Sequence, residues 1–166
     1  MRRLIGALSV AAFLVGVLAG PASAASHGRT VVARINGGGT AEMQDPLAAG
    51  TTHWGAGVTL YSDGTASGQI DCIDQHGDWA GFPGNIWGHV TGWSTDGDGN
   101  IVLNVTGKFH SIPGGDLQDA VFTVTIQQFG GAGVGRWTLA VPDGSGGWFT
   151  VCYELLTSGQ IVIRYA

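Results

Sequence analysis

Charge is what this 166-residue chain has least of: Asp, Glu, Lys and Arg together make up 11% of it, and Lys108 is its one lysine. With Arg2 and Arg3 set aside as part of an export leader, five basic residues (Arg29, Arg34, Lys108, Arg136, Arg164) face twelve acids, a net charge of −7. Such a surface repels phosphate backbones and no basic cluster offsets it, so nucleic acid is excluded as an expected partner. Cysteine is scarce too, with two residues, Cys72 and Cys152, too few for a structural zinc array. Apolar residues nowhere recur at the 3.6-residue period of an amphipathic helix, which excludes a helix bundle.

Complete catalytic motifs are also lacking. There is no G-x-S-x-G, and Ser145 sits in a glycine-rich turn. The stretch FGGAGVGRW at 129–137 lacks the Lys-Ser/Thr of a phosphate loop and is followed by strand-like residues, so it reads as a wide glycine loop where backbones approach closely.

What is present begins with a leader. The basic MRR, an apolar run of about 17 residues and the small residues PASA have the form of a secretory signal cleaved after Ala24. Residues 25–166 then form a single extracellular domain with no membrane span after cleavage. In an oxidising compartment two cysteines normally pair, so a Cys72–Cys152 disulfide is expected. Closing that loop of roughly 80 residues would stabilise the fold by about 4 kcal/mol.

Short β-branched and aromatic runs separated by Gly, Asp, Asn and Pro predict strands at 29–36, 55–61, 66–73, 86–93, 100–109, 119–128, 135–141, 148–155 and 159–165. Phe122, Val124 and Ile126 alternate with more polar neighbours, as in an antiparallel sheet covered on one side. SDGT, TDGDGN, PDGSGG and TSGQ read as hairpin turns. The fold expected is all-β, a single antiparallel sandwich or barrel of eight or nine strands with one disulfide. The segment 37–52 reads as a short helical turn or as a loop over a sheet edge.

The densest chemistry is IDCIDQHGDW at 70–79, with Asp71, Asp74, Asp78, His76 and Cys72. Cys72 and His76 have the residue types of a thiol hydrolase, but the expected bridge removes the nucleophile. Trp79, Phe82, Trp87 and Trp93, flanked by His76 and His89, form an aromatic cluster of the kind that stacks on sugar rings. Trp is usually mostly buried in domains of this size, so at least part of the cluster is expected to be core. Alternation puts Trp87, His89 and Trp93 on one face of one strand. Asp96, Asp98 and Asn100 match the opening of a calcium loop, but Ile101 and Gly107 stand where Gly and a bidentate Glu are wanted, which is also ordinary hairpin chemistry.

The ordered segments RINGGGTA, DGTASGQIDCID, GNIWGHVTGW, FTVTIQQFGGAGVGRWTL and SGQIVIRY resemble uncharacterised secreted bacterial β-proteins of the post-COAP type. The resemblance implies an extracellular all-β domain and brings no site residues. The function expected is a secreted non-enzymatic β-domain that binds carbohydrate or cell-surface material, or is structural. The alternatives are a hydrolase or isomerase with an acid/His site at Asp71, Asp74, His76 and His89, and a calcium-stabilised module. No cofactor other than calcium is implied.

Overall fold

The structure, a computed structural model, describes residues 28–44, 50–74 and 84–166. Ten antiparallel strands form one sheet: β1 (Val31–Met43), β2 (Thr51–Tyr61), β3 (Ala66–Asp74), β4 (Gly84–Thr95), β5 (Ile101–Ser111), β6 (Leu117–Gln128), β7 (Gly130–Gly131), β8 (Arg136–Pro142), β9 (Trp148–Leu156) and β10 (Gln160–Tyr165). Among the described residues there is no helix, and therefore none long and apolar enough to cross a membrane.

The sheet closes on itself. β1 through β6 pair in succession, β6 pairs with β8, β8 with β9, and β9 returns to β1. Two of the eight walls of this barrel are broken strands. β9 pairs with β1 at 41–43, the chain bulges at 157–159, and β10 resumes along the same β1 at 33–38. β7 and β8 mirror this break, pairing with β10 and β9 respectively. Thr40 pins the bulge: its carbonyl accepts from the backbone N–H groups of Thr157 and Ser158, and its hydroxyl lies 2.6 Å from the Ser158 hydroxyl. The glycine loop at 129–137 is the matching bulge in the β7/β8 wall.

Closure explains the two-residue alternation, because inward side chains must fill the lumen while outward ones meet water. Ile35, Leu60, Leu103, Val105, Phe122, Val124, Trp137, Leu139, Leu156 and Ile161 are fully buried there. The Asp-Gly turns form as expected, with Gly64, Gly99 and Gly144 in the left-handed region that glycine tolerates.

Two expectations are corrected. Of the segment 37–52, residues 37–43 and 51–52 are neither a helical turn nor a loop but the second half of β1 and the start of β2, and residues 45–49 lie outside the described residues. Glycine and threonine there concealed a strand whose inward positions, Ala41, Met43, Thr52 and Trp54, are buried. The disulfide is absent, and Cys72 and Cys152 are buried thiols. β2 and β1 stand between β3 and β9, so the two cysteines are not cross-strand neighbours; both face the interior, where they border one cavity as thiols.

Candidate functional site

Among the described residues, the barrel wall opens between β6 and β8. β6 bonds to β8 only from Thr123 to Gln128 against Arg136 to Ala140. Toward the end where β3 finishes and β4 begins, residues 117–122 pair with β5 alone, and Val141 and Pro142 pair with β9 alone. The strands diverge, and a cavity of about 470 Å³ occupies the cleft. Cys72, Ile86, Leu139 and Cys152 form its deep wall, Phe109, Ala120, Val121 and Val151 its sides, and Asp74, Gln118 and Asp119 its polar rim. Around the opening, Leu117, Val121, Trp148 and Phe149 are each more than half exposed. Apolar surface of that extent is unusual beside a cavity unless something apolar uses it.

Local sequence explains the opening. Leu117 to Ala120 continue the β5–β6 hairpin, while Pro142 has no N–H to offer a neighbour on its far side. A register shift between Leu139 and Ala140 turns the β8–β9 hairpin and leaves Val151 without a Cα partner on β8. The Cys72 thiol is pushed well above its ordinary range, first by burial, then by the neighbouring Cys152, Glu154 and Asp74. A thiol so held is protonated and a poor nucleophile.

Deeper in the lumen lies a polar cluster. Glu154, fully buried on β9, accepts a short hydrogen bond from the hydroxyl of buried Thr52. Trp54 and Trp137 pack with ring centroids 6.3 Å apart, and neither indole N–H has an acceptor among the described residues. A void of about 10 Å³ touches both rings, and its wall shares Cys72, Ile86 and Leu139 with the larger cavity.

The aromatic cluster expected from the sequence is divided. His76, Trp79 and Phe82 lie outside the described residues, as do Asp78 and the leader. Trp87 and His89 face outward on β4. A bulge between Val90 and Gly92 then reverses the alternation, so Trp93 pairs with inward Leu103 and packs against the core. Its indole donates to the Tyr61 carbonyl at 2.8 Å. The single face expected for Trp87, His89 and Trp93 is therefore two faces.

Trp87 lies in a shallow outer depression with Gln69, Asp71, Asn85, His89 and Lys108. Register sets Asp71, Trp87, Lys108 and Asp119 in one row across β3 to β6, and Lys108 donates to Asp119 at 2.6 Å. Partial desolvation raises the Asp71 carboxyl above its ordinary 3.8. The proposed acid/His set is split by strand parity: Asp71 and His89 share the outer depression, whereas Asp74 lines the cavity.

At the calcium-like loop, the Asp96 carboxylate accepts from the backbone N–H of Asp98 and Asn100 and from the Asn100 side chain, at 2.8–3.0 Å. These bonds turn the chain between β4 and β5. Among the described residues, no three or more His, Cys, Asp or Glu side chains gather in a way that could hold a metal ion.

Sequence reasoning missed the lumen set of Thr52, Trp54, Trp137 and Glu154. One signal was available: in the β9 stretch VCYELL, Glu154 alternates with Cys152 and Leu156, so a carboxylate stands at inward parity on an otherwise apolar face. Searched against protein-family models, curated proteins and solved structures, the chain matches none.

Proposed function

We propose that this protein is an exported, non-enzymatic binding barrel that takes a small apolar molecule into the cavity between β6 and β8. The observation that carries the reading is the cavity itself, about 470 Å³, with an apolar deep wall and exposed apolar side chains at its opening. Eight-stranded barrels have interiors that side chains just fill or that hold one small ligand, and here the filling stops where β6 leaves β8. The Cys72 thiol at the deep wall, held protonated by burial, acts as small apolar surface and not as a reactive group.

The test is binding of an uncharged solvatochromic dye to the full chain. Wild type should bind in the micromolar range with a blue-shifted emission. Ala120→Trp, which fills the cavity from its side wall, should weaken binding at least about tenfold while the circular dichroism spectrum is kept. Unchanged dye binding in a folded Ala120→Trp protein would refute the cavity as the site.

A second reading is supported by Trp87, whose half-buried ring faces outward among a carboxylate, an imidazole, amides and an ammonium group. That is the set with which sugar rings are stacked and their hydroxyls bonded. On a glycan array the protein should bind a neutral polysaccharide, and Trp87→Ala should lower that binding more than about tenfold. Trp93→Ala is the wrong variant for this purpose, because Trp93 is pinned to Tyr61 inside the wall.

A further inference from the structure

The inner end of the lumen says more about the ligand than its outer walls do. Trp54 is 7% exposed and Trp137 is 2% exposed. A buried donor left unbonded is destabilising, and two adjacent indoles carry this cost together. Both rings line the void of about 10 Å³, which has room for about one water-sized group. Cys72, Ile86 and Leu139 border both the void and the large cavity, so they form the wall between a molecule seated in the cavity and the two indoles.

The charge of that group follows from its surroundings. No Lys, Arg or His lines either space, while Asp71 and Asp74 do, and buried Glu154 lies close enough to raise the Cys72 thiol; Asp119 at the rim is exposed and already paired with Lys108. A carboxylate or phosphate head would enter a region of its own sign without a counter-charge. An ammonium head would be drawn to those carboxylates but has no lone pair to accept from an indole, and would leave both N–H groups unbonded. What remains is a neutral acceptor. We propose that the ligand of this barrel is an uncharged, mostly apolar molecule carrying a single carbonyl or ether oxygen, and that this oxygen accepts hydrogen bonds from the indoles of Trp54 and Trp137.

This inference rests on the cavity being the binding site, and the experiment separates the two. Three probes of equal chain length are competed against the solvatochromic dye on the full chain: a linear alkane, its methyl ketone, and the corresponding carboxylate. Nitrogen–proton spectra of the indole groups are recorded in parallel, with Trp54→Phe and Trp137→Phe assigning the resonances. The ketone should bind about threefold to tenfold tighter than the alkane, the gain of one or two neutral hydrogen bonds, and the carboxylate should bind weakest. The Trp54 and Trp137 resonances should move downfield with the ketone and not with the alkane. Trp54→Phe should bring the ketone's affinity closer to the alkane's while leaving the alkane's unchanged.

Equal displacement by alkane and ketone, with both resonances still, would leave the cavity reading standing and overturn the acceptor, making the inner void a place for a buried water only. Tightest binding by the carboxylate would also overturn it. Displacement by none of the three would end both readings together. Because the shift is read in the wild-type protein, a variant that fails to fold removes only the assignment: downfield movement of indole resonances with the ketone and not with the alkane still supports the acceptor, and no movement overturns it.

Discussion

Asp63, Asp96 and Asp143 perform one task in three hairpin turns. Each turns its carboxylate back onto the chain, Asp63 onto Thr65, Asp96 onto Asn100 and Asp98, and Asp143 onto Ser145 and Gly147. For Asp96 the Asn100 side-chain hydrogen bond is the main cause that holds the carboxyl below its ordinary 3.8. Asp71 goes the other way, raised by desolvation. The signs then follow. A depressed carboxyl stabilises the fold above its unfolded pKa, and that stability is lost as pH falls through the folded value. A raised one binds more protons folded than unfolded just above 3.8, so there stability falls as pH rises. Thermal melts should therefore show Asp96→Ala below wild type at neutral pH, with the gap closing under about pH 4. Asp71→Asn should match or exceed wild type at neutral pH and lose that margin in acid. Parallel curves for wild type and both variants would refute the assignment.

At the scale of the strand, glycine decides where β4 and β5 can meet. Gly88 and Gly107 are register partners on the inward side, and a methyl group on Gly107 would be driven into the Trp87 carbonyl and the Gly88 Cα. Backbone cannot yield as a flexible side chain can. Gly107→Ala should therefore cost at least about 2 kcal/mol in chemical denaturation, whereas Gly97→Ala, with open space around it, should cost less than about 0.5 kcal/mol. Similar losses in both would show that the close approach is not what constrains this crossing. The same scale explains how far the sequence could be read. Alternation over 101–109 and 119–128 located β5, β6 and their inward residues, because those strands run without interruption. It misplaced Trp93 because a bulge inserts one residue and reverses every face beyond it, and nothing local in VTGW announces that. It left 37–52 open because Gly37, Gly38 and Gly39 carry no side chain to show alternation.

Across the whole molecule, the all-β antiparallel architecture was legible from turn chemistry and strand length. The closure was not, since it depends on pairs of β1 with β9 and β10 whose members are over a hundred positions apart. The same distance hid the lumen cluster, where Thr52 from β2 meets Glu154 from β9. The disulfide expectation failed for a related reason: two cysteines and an oxidising compartment say nothing about which staves of a barrel they stand on.

The parting of β6 from β8 has one more consequence. A closed barrel normally has no strand edge to offer, but here two rows of backbone donors and acceptors lose their partners over residues 117–122 and 141–142. An extended segment of another chain could pair with such a row and begin an aggregate. The residues that stand there answer that danger. Asp119 puts a charge on one edge, and Pro142 removes an amide from the other. The opening through which a small molecule could enter is thereby kept closed to a strand.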